Sequence, residues 1–426
     1  MISSSLSVPV VSDRPATTNL RIAVIGNRGS YGYRVCDWMR KLGIAAKLVL
    51  IEGTDNHERD LPESVDSSLL SGYPDWITKY SRFDKRFGRL ANDFDIGLTV
   101  GPSGLKAVTK ISAIPTVHLV VGSEVWDLPL RYTPPHSQAL QFCHRVYYRL
   151  ASQTTAAGRR REAMLSRKAI SKSRVLLADF EPVIRATEQI GATGKVRVWP
   201  TPEDVEGNQA RVDTNLLESL NNKYGKYKRT ILWLSRVNFA DKKASAYKGA
   251  ENFLAAFKRL VHEDQADVRA IVGTHGEDIE AFKSLAQQWK LDDHIDFVPH
   301  LPLWKLLTYM AIDNAIVCDQ MFDMNCITGL AREGLCLGTA FVMGVDQRLM
   351  QISYGAALPV ERATDSVECL ESLRKLYALS SDGFAARQES VRAWTRQYLD
   401  YRVVIPRLTS ILEEVDYLYR CGTNLP

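Results

Sequence analysis

Residues 230–236 read Thr-Ile-Leu-Trp-Leu-Ser-Arg, and residues 248–261 read Lys-Gly-Ala-Glu-Asn-Phe-Leu-Ala-Ala-Phe-Lys-Arg-Leu-Val. The first stretch has the composition of a buried strand and the second has apolar residues at helical spacing, so together they predict a strand, a polar loop and a helix. Arg236 follows the strand and Lys248 opens the helix. Because a helix start also carries unpaired N–H groups and partial positive charge, this unit predicts a phosphate-binding site.

Short apolar runs alternate with helical patterns along the whole sequence, which is typical of parallel sheets with crossover helices. One series of predicted strands comprises residues 21–25, 47–51, 95–100, 116–120, 175–178 and 195–199. A second series comprises residues 230–235, 268–272, 295–298, 314–317, 340–343 and 357–360. The pattern predicts an α/β fold made of two doubly wound, Rossmann-like domains.

The length of 426 residues also favours two domains, because one compact core rarely grows so large. The predicted segments are a disordered lead-in (1–20), an N-terminal Rossmann-like domain (21–203), a polar linker (204–228), a C-terminal Rossmann-like domain (229–390) and C-terminal helices (391–426). Pro406 should divide the C-terminal segment into two helices. We expect these helices to pack back on the N-terminal domain.

Composition indicates an ordinary globular protein, with 45% hydrophobic and 24% charged residues. No apolar run reaches the roughly 20 residues of a membrane-spanning helix. Residues 1–19 lack the basic start and apolar centre of a secretory signal, and the seven cysteines include no Cys-x-x-Cys pair. These features predict a cytoplasmic protein with reduced thiols. No bound metal is expected, since the eight histidines show no metal-ligand spacing.

Positive charge is concentrated in residues 131–174, where ten Lys or Arg residues accompany a single acid, Glu162. Such a segment favours an anionic partner, and we interpret it as a surface for peripheral binding to the inner face of a membrane. No nucleic-acid partner is expected. A solvated helix face is an equally good interpretation of the same charges.

A glycine-rich turn, Gly-Asn-Arg-Gly-Ser-Tyr-Gly, occupies residues 26–32 after the first predicted strand. Gly29 and Gly32 would let the backbone approach a phosphate, and Glu52 stands where the ribose-binding acid of a dehydrogenase would be. The same glycines also suit a tight strand-to-helix connection with no ligand.

A second loop follows the predicted strand 116–120 and carries Glu124 and Asp127. Because open sheets bind ligands at the carboxyl ends of their strands, either carboxylate would be placed to orient an acceptor hydroxyl. Capping of the next turn is the simpler interpretation of both.

Three stretches of the second half resemble the retaining glycosyltransferases of the GT-B fold, the large "group 1" type that includes sucrose and glycogen synthases. They are residues 234–249, 295–302 and 319–341. The resemblance implies two domains facing across a cleft, with a nucleotide-sugar donor on the C-terminal domain and the acceptor on the N-terminal domain.

The resemblance also implies roles for individual residues. Arg236 and Lys248 would hold the donor diphosphate, stabilise it as it leaves and so carry the catalysis, while Glu333 would bind the ribose. Further donor contacts are expected at Thr274, Val298, Asp319 and Gln320, with Gly29 and Gly32 near the phosphates, and acceptor contacts at Glu124 or Asp127. Family members usually carry a second glutamate eight residues before the first, where this chain has Asn325.

The implied reaction moves a sugar, with retention of configuration, to a hydroxyl of a glycan or lipid-linked acceptor in polysaccharide or glycoconjugate assembly. No metal or other cofactor is expected, because two side-chain cations take its place. Three alternatives stay open. A dehydrogenase would use the first glycine turn, a nucleotide-sugar epimerase would share the two-domain plan, and a non-catalytic sugar-nucleotide-binding protein would fit Asn325.

Overall fold

The computed structural model describes residues 18–27, 30–52, 75, 77–81, 90–111, 114–120, 156–178, 192, 195–240, 247–322 and 327–422. Two compact units make up the chain. The first comprises Met1–Pro200 and Val404–Pro426, and the second comprises Thr201–Val403. Each unit is built around one parallel sheet.

The first unit contains strands β1 (Ile22–Ile25), β2 (Ala46–Glu52), β3 (Ile77–Ser81), β4 (Ile96–Val100), β5 (Thr116–Leu119), β6 (Val175–Ala178) and β7 (Val196–Val198). Its helices before the second unit are α1 (Tyr31–Lys41), α2 (Leu90–Asp93), α3 (Gly101–Val108) and α4 (Ala156–Lys172). The sheet order is β3-β2-β1-β4-β5-β6-β7. All residues of β1, β4, β5 and β6 are buried, as expected for parallel strands covered on both faces.

The second unit contains strands β8 (Arg229–Trp233), β9 (Val268–Gly273), β10 (Ile295–Val298), β11 (Ala315–Asp319), β12 (Ala340–Met343) and β13 (Glu361–Arg362). Its helices are α5 (Val205–Ala210), α6 (Thr214–Tyr224), α7 (Ala250–His262), α8 (Ile279–Gln288), α9 (Leu303–Met310), α10 (Gly329–Leu337), α11 (Gln347–Tyr354), α12 (Ser366–Ala378) and α13 (Ser381–Tyr398), and α14 (Tyr401–Arg420) follows. A short 3-10 helix occupies Asp292–His294. The sheet order is β10-β9-β8-β11-β12-β13.

Strand β8 shows why this sheet is buried on both sides. Ile231 and Trp233 point into one apolar cluster, and Leu232 belongs to the other. Trp233 stacks on Phe253 of α7 with ring centroids 5.3 Å apart, so the predicted strand and the predicted amphipathic helix pack directly on each other. The doubly wound α/β units and the C-terminal helices are confirmed, whereas the facing of the two units across a cleft stays a prediction.

The segment predicted to be a linker is helical. Residues 204–228 contain α5 and α6, each capped by an aspartate whose carboxylate accepts a backbone N–H. Asp204 accepts from Gly207 and Asp213 accepts from Leu216. Leu220 is buried in the apolar cluster of the second unit, so the segment belongs to that unit.

One strand prediction was also wrong, and one strand was not predicted. Residues 357–360 form no strand, and β13 begins at Glu361 instead. The side chain of Gln347 explains the difference, because it donates to the carbonyl of Leu358 and accepts from its N–H, taking the groups a strand would use. Strand β3 was missed, since its sequence Ile-Thr-Lys-Tyr-Ser is short and half polar.

Pro406 does not divide the C-terminal helices. The break falls at Leu399 and Asp400, between α13 and α14, and Pro406 lies inside α14. The carboxylate of Asp400 accepts the backbone N–H of Arg402 at 2.8 Å and so satisfies a donor at the helix start.

From Val404 onward α14 belongs to the first unit. The indole N–H of Trp199 donates to the carbonyl of Val404 at 3.3 Å, and the guanidinium of Arg174 lies 5.6 Å from the ring centroid of Tyr419.

The basic segment lies largely outside the described residues, which include its positions from 156 onward. Lys172 donates to the carbonyl of Thr109, and Arg174 packs on Tyr419, so these two cations serve the unit itself. In the described part of the chain, no helix combines the length and apolar character needed to span a membrane.

Candidate functional site

A cavity of about 280 Å³ opens at the carboxyl edge of the second sheet. Strand β8 pairs with β9 on one side and with β11 on the other, so the strand order reverses there. Open parallel sheets bind ligands at such a reversal. The lining residues are Leu234, Ser235, Arg236, Lys248, Gly273, His275, Pro299, His300, Leu301, Leu306, Thr328, Gly329, Leu330 and Glu333.

Three residues singled out from the sequence meet on this cavity. Arg236 follows β8, Lys248 precedes α7, and Glu333 lies in α10. They come from segments nearly a hundred residues apart, and the parallel pairing of β8 with β11 is what brings their strand ends together.

Lys248 is held in place by the end of β11. Its backbone carbonyl accepts the N–H of Met321 at 2.9 Å, and the next residue, Gly249, begins α7 in the left-handed region with φ 75°. A Cβ on Gly249 would stand 2.7 Å from the carbonyl oxygen of Met321. Glycine is therefore required there, and Lys248 is fixed relative to the rest of the cavity.

The two cations of the cavity have no partner among the residues that the structure describes. Within the described ranges, neither the Arg236 guanidinium nor the Lys248 ammonium forms a hydrogen bond or an ion pair. Lys248 is half-buried, whereas Arg236 is exposed. Two uncompensated positive charges beside a cavity create an attractive potential for a dianion such as a diphosphate.

The start of α10 adds backbone donors to the same wall. Thr328 caps the helix by accepting the N–H of Ala331 at 3.0 Å, and Thr328, Gly329 and Leu330 all line the cavity. Glu333 follows within the next turn. The wall thus offers the partial positive charge of a helix N-terminus together with one carboxylate.

Asp319 lies behind the cavity and ties two of its walls together. Its carboxylate is fully buried and accepts the Ser235 hydroxyl at 2.6 Å and the Thr328 hydroxyl. Ser235 precedes Arg236, and Thr328 caps α10. The residue expected to contact the donor therefore connects the loop after β8 to the helix that carries Glu333, without lining the cavity itself.

Gln320, Thr274 and Val298 also stand beside the cavity, none of them among its lining residues. Gln320 is buried, and its backbone carbonyl accepts the N–H of Gly344 at 2.8 Å. The N–H of Thr274 donates to the carbonyl of Val298 at 2.8 Å, which joins the loop after β9 to the end of β10. Their roles as donor contacts stay predictions.

Two histidines of the cavity were not predicted as site residues. His275 follows β9 and His300 follows β10, and their rings meet edge to face with centroids 5.1 Å apart. Burial lowers the pKa of His275, and the nearby His300 and Arg236 lower it further. Their positions just after strand ends were the available signal, but only the pairing of β9 with β10 shows that the two rings meet.

The predicted sites of the first half are not among the residues that line this cavity, and most of them fall outside the described residues. Gly32 is in α1, where a Cβ would stand 1.9 Å from the carbonyl oxygen of Gly26, so tight turn packing accounts for this glycine. Gly29, Glu124 and Asp127 lie outside the described residues, as does Asn325. Among the residues that are described, no group of three or more His, Cys, Asp or Glu side chains is arranged to hold a metal.

No protein-family model and no curated protein match the sequence. Solved structures do share its fold. The Anabaena protein Alr3699/HepE in complex with UDP superposes with a TM-score of 0.62 at 13% identity, over 93% of this chain and 100% of that one. Its complex with UDP-glucose gives a TM-score of 0.59 at 14% identity over the same shares of the two chains.

Two further structures extend the comparison. Sucrose-phosphate synthase (tll1590) of Thermosynechococcus elongatus gives a TM-score of 0.56 at 11% identity, over 92% of this chain and 98% of that one. A Listeria monocytogenes protein assigned as a UDP-N-acetylglucosamine 2-epimerase gives 0.51 at 11% identity, over 96% and 99% of the two chains. At these identities the likeness establishes the fold, which is the two-unit α/β fold predicted from the sequence.

Proposed function

We propose that the protein is a glycosyltransferase that takes its sugar from a nucleotide diphosphate sugar. The observation that carries the proposal is the meeting of Arg236, Lys248 and Glu333 on one cavity at the reversal of the second sheet. Two cations that have no partner in the described ranges suit a diphosphate, and one carboxylate suits the paired hydroxyls of a ribose.

The donor would be held by three parts of this cavity. Arg236 and Lys248 bind the diphosphate, the N–H groups at the start of α10 add hydrogen bonds to it, and Glu333 accepts the ribose hydroxyls. Uridine nucleotides are the first donors to test, because two of the solved structures that share the fold contain UDP or UDP-glucose.

The proposed chemistry retains the configuration of the transferred sugar. The bond from the anomeric carbon to the diphosphate breaks as the acceptor oxygen bonds to the same face, and the acceptor proton passes to the departing diphosphate oxygen. Arg236 and Lys248 stabilise the charge that develops on the diphosphate. No metal is needed in this proposal, so EDTA should leave turnover unchanged, and NMR of the product should show the donor's anomeric configuration.

The acceptor is proposed to be a hydroxyl of a glycan or a lipid-linked sugar, oriented by Glu124 or Asp127. Residues 131–174 would then hold the protein on the anionic inner face of a membrane. Sedimentation with vesicles rich in anionic lipid at low salt tests this part, and loss of binding is expected as salt screens the charges.

The donor site is tested by thermal denaturation with a panel of UDP, GDP, ADP and dTDP sugars. A ligand at about 100 times its dissociation constant should stabilise the protein by about 2.7 kcal/mol. Arg236→Ala and Lys248→Ala should each weaken donor binding at least about 30-fold, because each removes a charge-assisted contact to the diphosphate. Isothermal titration calorimetry measures the change.

Matched controls are Arg348→Ala and Lys226→Ala, which remove exposed cations of the same unit outside the cavity. These variants should bind the donor as the unchanged protein does. Equal losses in all four variants would point to a general charge effect and contradict a specific diphosphate site.

A nucleotide-sugar epimerase is the second candidate, favoured by the fold shared with the Listeria protein. It would convert the donor sugar without any acceptor, whereas a transferase requires one. A protein that binds the donor and never consumes it would be a sugar-nucleotide-binding protein. Following the donor by NMR with and without acceptor separates the three.

A further inference from the structure

His275 is a further basic residue at the candidate donor site. It lines the same cavity as Arg236 and Lys248. Its Nδ1 is buried and has no hydrogen-bond partner among the described residues. A buried polar atom without a partner carries a cost in free energy, which a ligand that supplies the missing hydrogen bond removes.

The ring is fitted to its position by the glycine of the same loop. A Cβ on Gly273 would stand 3.1 Å from the Nδ1 of His275, so the imidazole lies directly against the end of β9. On its other side the ring meets His300 edge to face. These contacts fix the imidazole in the wall of the cavity.

The loops that carry His275 and Arg236 are joined by hydrogen bonds. The N–H of Val237 donates to the carbonyl of His275 at 2.8 Å, and the N–H of Asp278 donates to the carbonyl of Val237 at 3.0 Å. The carboxylate of Asp278 accepts the N–H of Phe239 at 2.6 Å. His275 is thereby fixed relative to Arg236.

Gly276 permits this close approach of the two loops. Its φ is 128°, and a Cβ at this position would stand 2.4 Å from the carbonyl oxygen of Val237. No other residue would allow the same contact.

We propose that His275 becomes protonated when a nucleotide diphosphate sugar binds and donates a hydrogen bond from Nδ1 to the diphosphate. This inference rests on the proposed function, because it adds His275 to the residues that bind the donor at the same site. The proton comes from solvent, and no bond of the donor changes in this step.

The charged groups around His275 determine whether its pKa rises or falls when the donor binds. In the free protein, burial together with His300 and Arg236 lowers its pKa, so the imidazole is neutral near pH 7. Lys248 lines the same cavity and also opposes protonation, while the Glu333 carboxylate favours it. A bound diphosphate adds two negative charges beside the ring and raises its pKa.

Donor affinity should therefore depend on pH. Because the pKa is higher in the complex, the extra affinity is fully present below the pKa of the free protein and is lost as pH rises through the pKa of the complex. Each unit by which binding raises the pKa corresponds to about a tenfold change in affinity.

The test is calorimetric titration with UDP-glucose between about pH 5.5 and pH 8, in buffers of different ionisation enthalpy. The diphosphate of UDP-glucose is esterified at both ends and lacks the phosphomonoester ionisation near about pH 6, so proton uptake reports on the protein. If UDP-glucose gives no thermal shift, the ADP, GDP or dTDP sugar that does is used.

The unchanged protein should take up protons on binding at neutral pH and bind about tenfold more tightly at the acid end of the range. His275→Gln should abolish both effects, and His262→Gln, at an exposed histidine outside the cavity, should preserve them. NMR of the imidazole carbons in the unchanged protein should show the pKa of His275 rising on addition of the donor.

Donor binding with no pH dependence, or full proton uptake in His275→Gln, overturns this inference and leaves the proposed function standing. Failure of every nucleotide sugar to bind overturns both. The NMR titration keeps the test decisive even if His275→Gln folds poorly.

Discussion

The side chain of Asp319 is fully buried, and its carboxylate accepts hydrogen bonds from two hydroxyl groups. Ser235 and Thr328 both line the cavity, and both hydroxyls point back to this one carboxylate. The carboxylate therefore sets the spacing between the loop that carries Arg236 and the helix that carries Glu333.

Asp319→Ala should lower the free energy of unfolding by about 2–4 kcal/mol, because it leaves two half-buried hydroxyls without their acceptor and removes a fully buried side chain. Chemical denaturation measures the loss. Ser235→Ala removes one donor and should cost only about 1 kcal/mol. If Asp319→Ala has the same denaturation midpoint as the unchanged protein, the proposed connection contributes nothing to stability.

Residues of the cavity differ in how far the sequence reveals them. Arg236 and Lys248 are predictable because each is a cation at the end of a recognisable element. Glu333 is predictable because it lies in a helix-then-strand pattern, and its role as the ribose contact comes from a family resemblance. Asp319 also comes from the resemblance, but its burial and its two hydroxyl partners depend on where β11 lies beside β8. His275 and His300 meet only through the pairing of β9 with β10.

A cluster of charged side chains links α6 to the edge of the second sheet. The carboxylate of Asp296 in β10 accepts hydrogen bonds from Arg269 of β9 and from the Tyr224 hydroxyl, and it forms an ion pair with Lys223 at 2.9 Å. Burial alone would raise the pKa of Asp296, but the bonds from Arg269, Tyr224 and Lys223 outweigh it and lower the pKa to about 2.

This cluster should make stability depend on pH in the acid range. Because the pKa of Asp296 is lower in the folded protein than its ordinary value of 3.8, its contribution is present above that value and is lost as pH falls through about 2. We expect about 1–2 kcal/mol from this carboxylate, after allowing for its partial exposure.

The check is to compare the unchanged protein with Asp296→Asn by chemical denaturation at several pH values. The difference in free energy of unfolding should be largest near neutral pH and should shrink toward about pH 2.5. A difference that stays constant over this range would show that the charge of Asp296 is not the source of the difference in stability.

Helices α5 and α6 show why the predicted linker was wrong. Asp204 and Asp213 are N-cap residues, and the apolar residues Leu216, Leu220 and Tyr224 recur at helical spacing. The signal was present, but Pro, Gly and Asn nearby are also typical of loops, and only packing against the second unit decides between the two. The strand predicted at 357–360 failed for a different reason, because Gln347 of α11 binds Leu358 from eleven residues away along the chain.

Strands and helices alternate along the chain in two successive series, and this alternation made the two-unit α/β fold predictable. The bounds of the units were harder to predict. The first unit is completed by Val404–Pro426, from the far end of the sequence. The sequence pattern of a single segment does not show that the last residues of the chain belong to the first unit.

Removal of residues 404–426 should therefore unfold the first unit and spare the second. Val404, Ile405, Leu408, Leu412 and Val415 are all at most 1% exposed. Losing them removes roughly 7–15 kcal/mol of apolar burial, which is comparable to the whole stability of a domain. Limited proteolysis with mass spectrometry should find the first unit digested and residues 201–403 protected.

Truncation after Gly422 is the matched control, because it leaves α14 complete. That variant should resist protease as the unchanged protein does. If the longer truncation leaves the first unit protected, α14 is not part of its core.

The pairing of β8 with β11 also bears on the synthesis of the protein. Thr230 lies beside Ala315, and the wall that bears Glu333 follows later still. In a nascent chain the proposed donor site therefore stays incomplete until the ribosome has passed α10, and until β11 is made the edge of β8 lacks its neighbouring strand. We expect the growing chain to depend on chaperones until β11 and α10 have been made. The proposed donor could stabilise the fold only after that point.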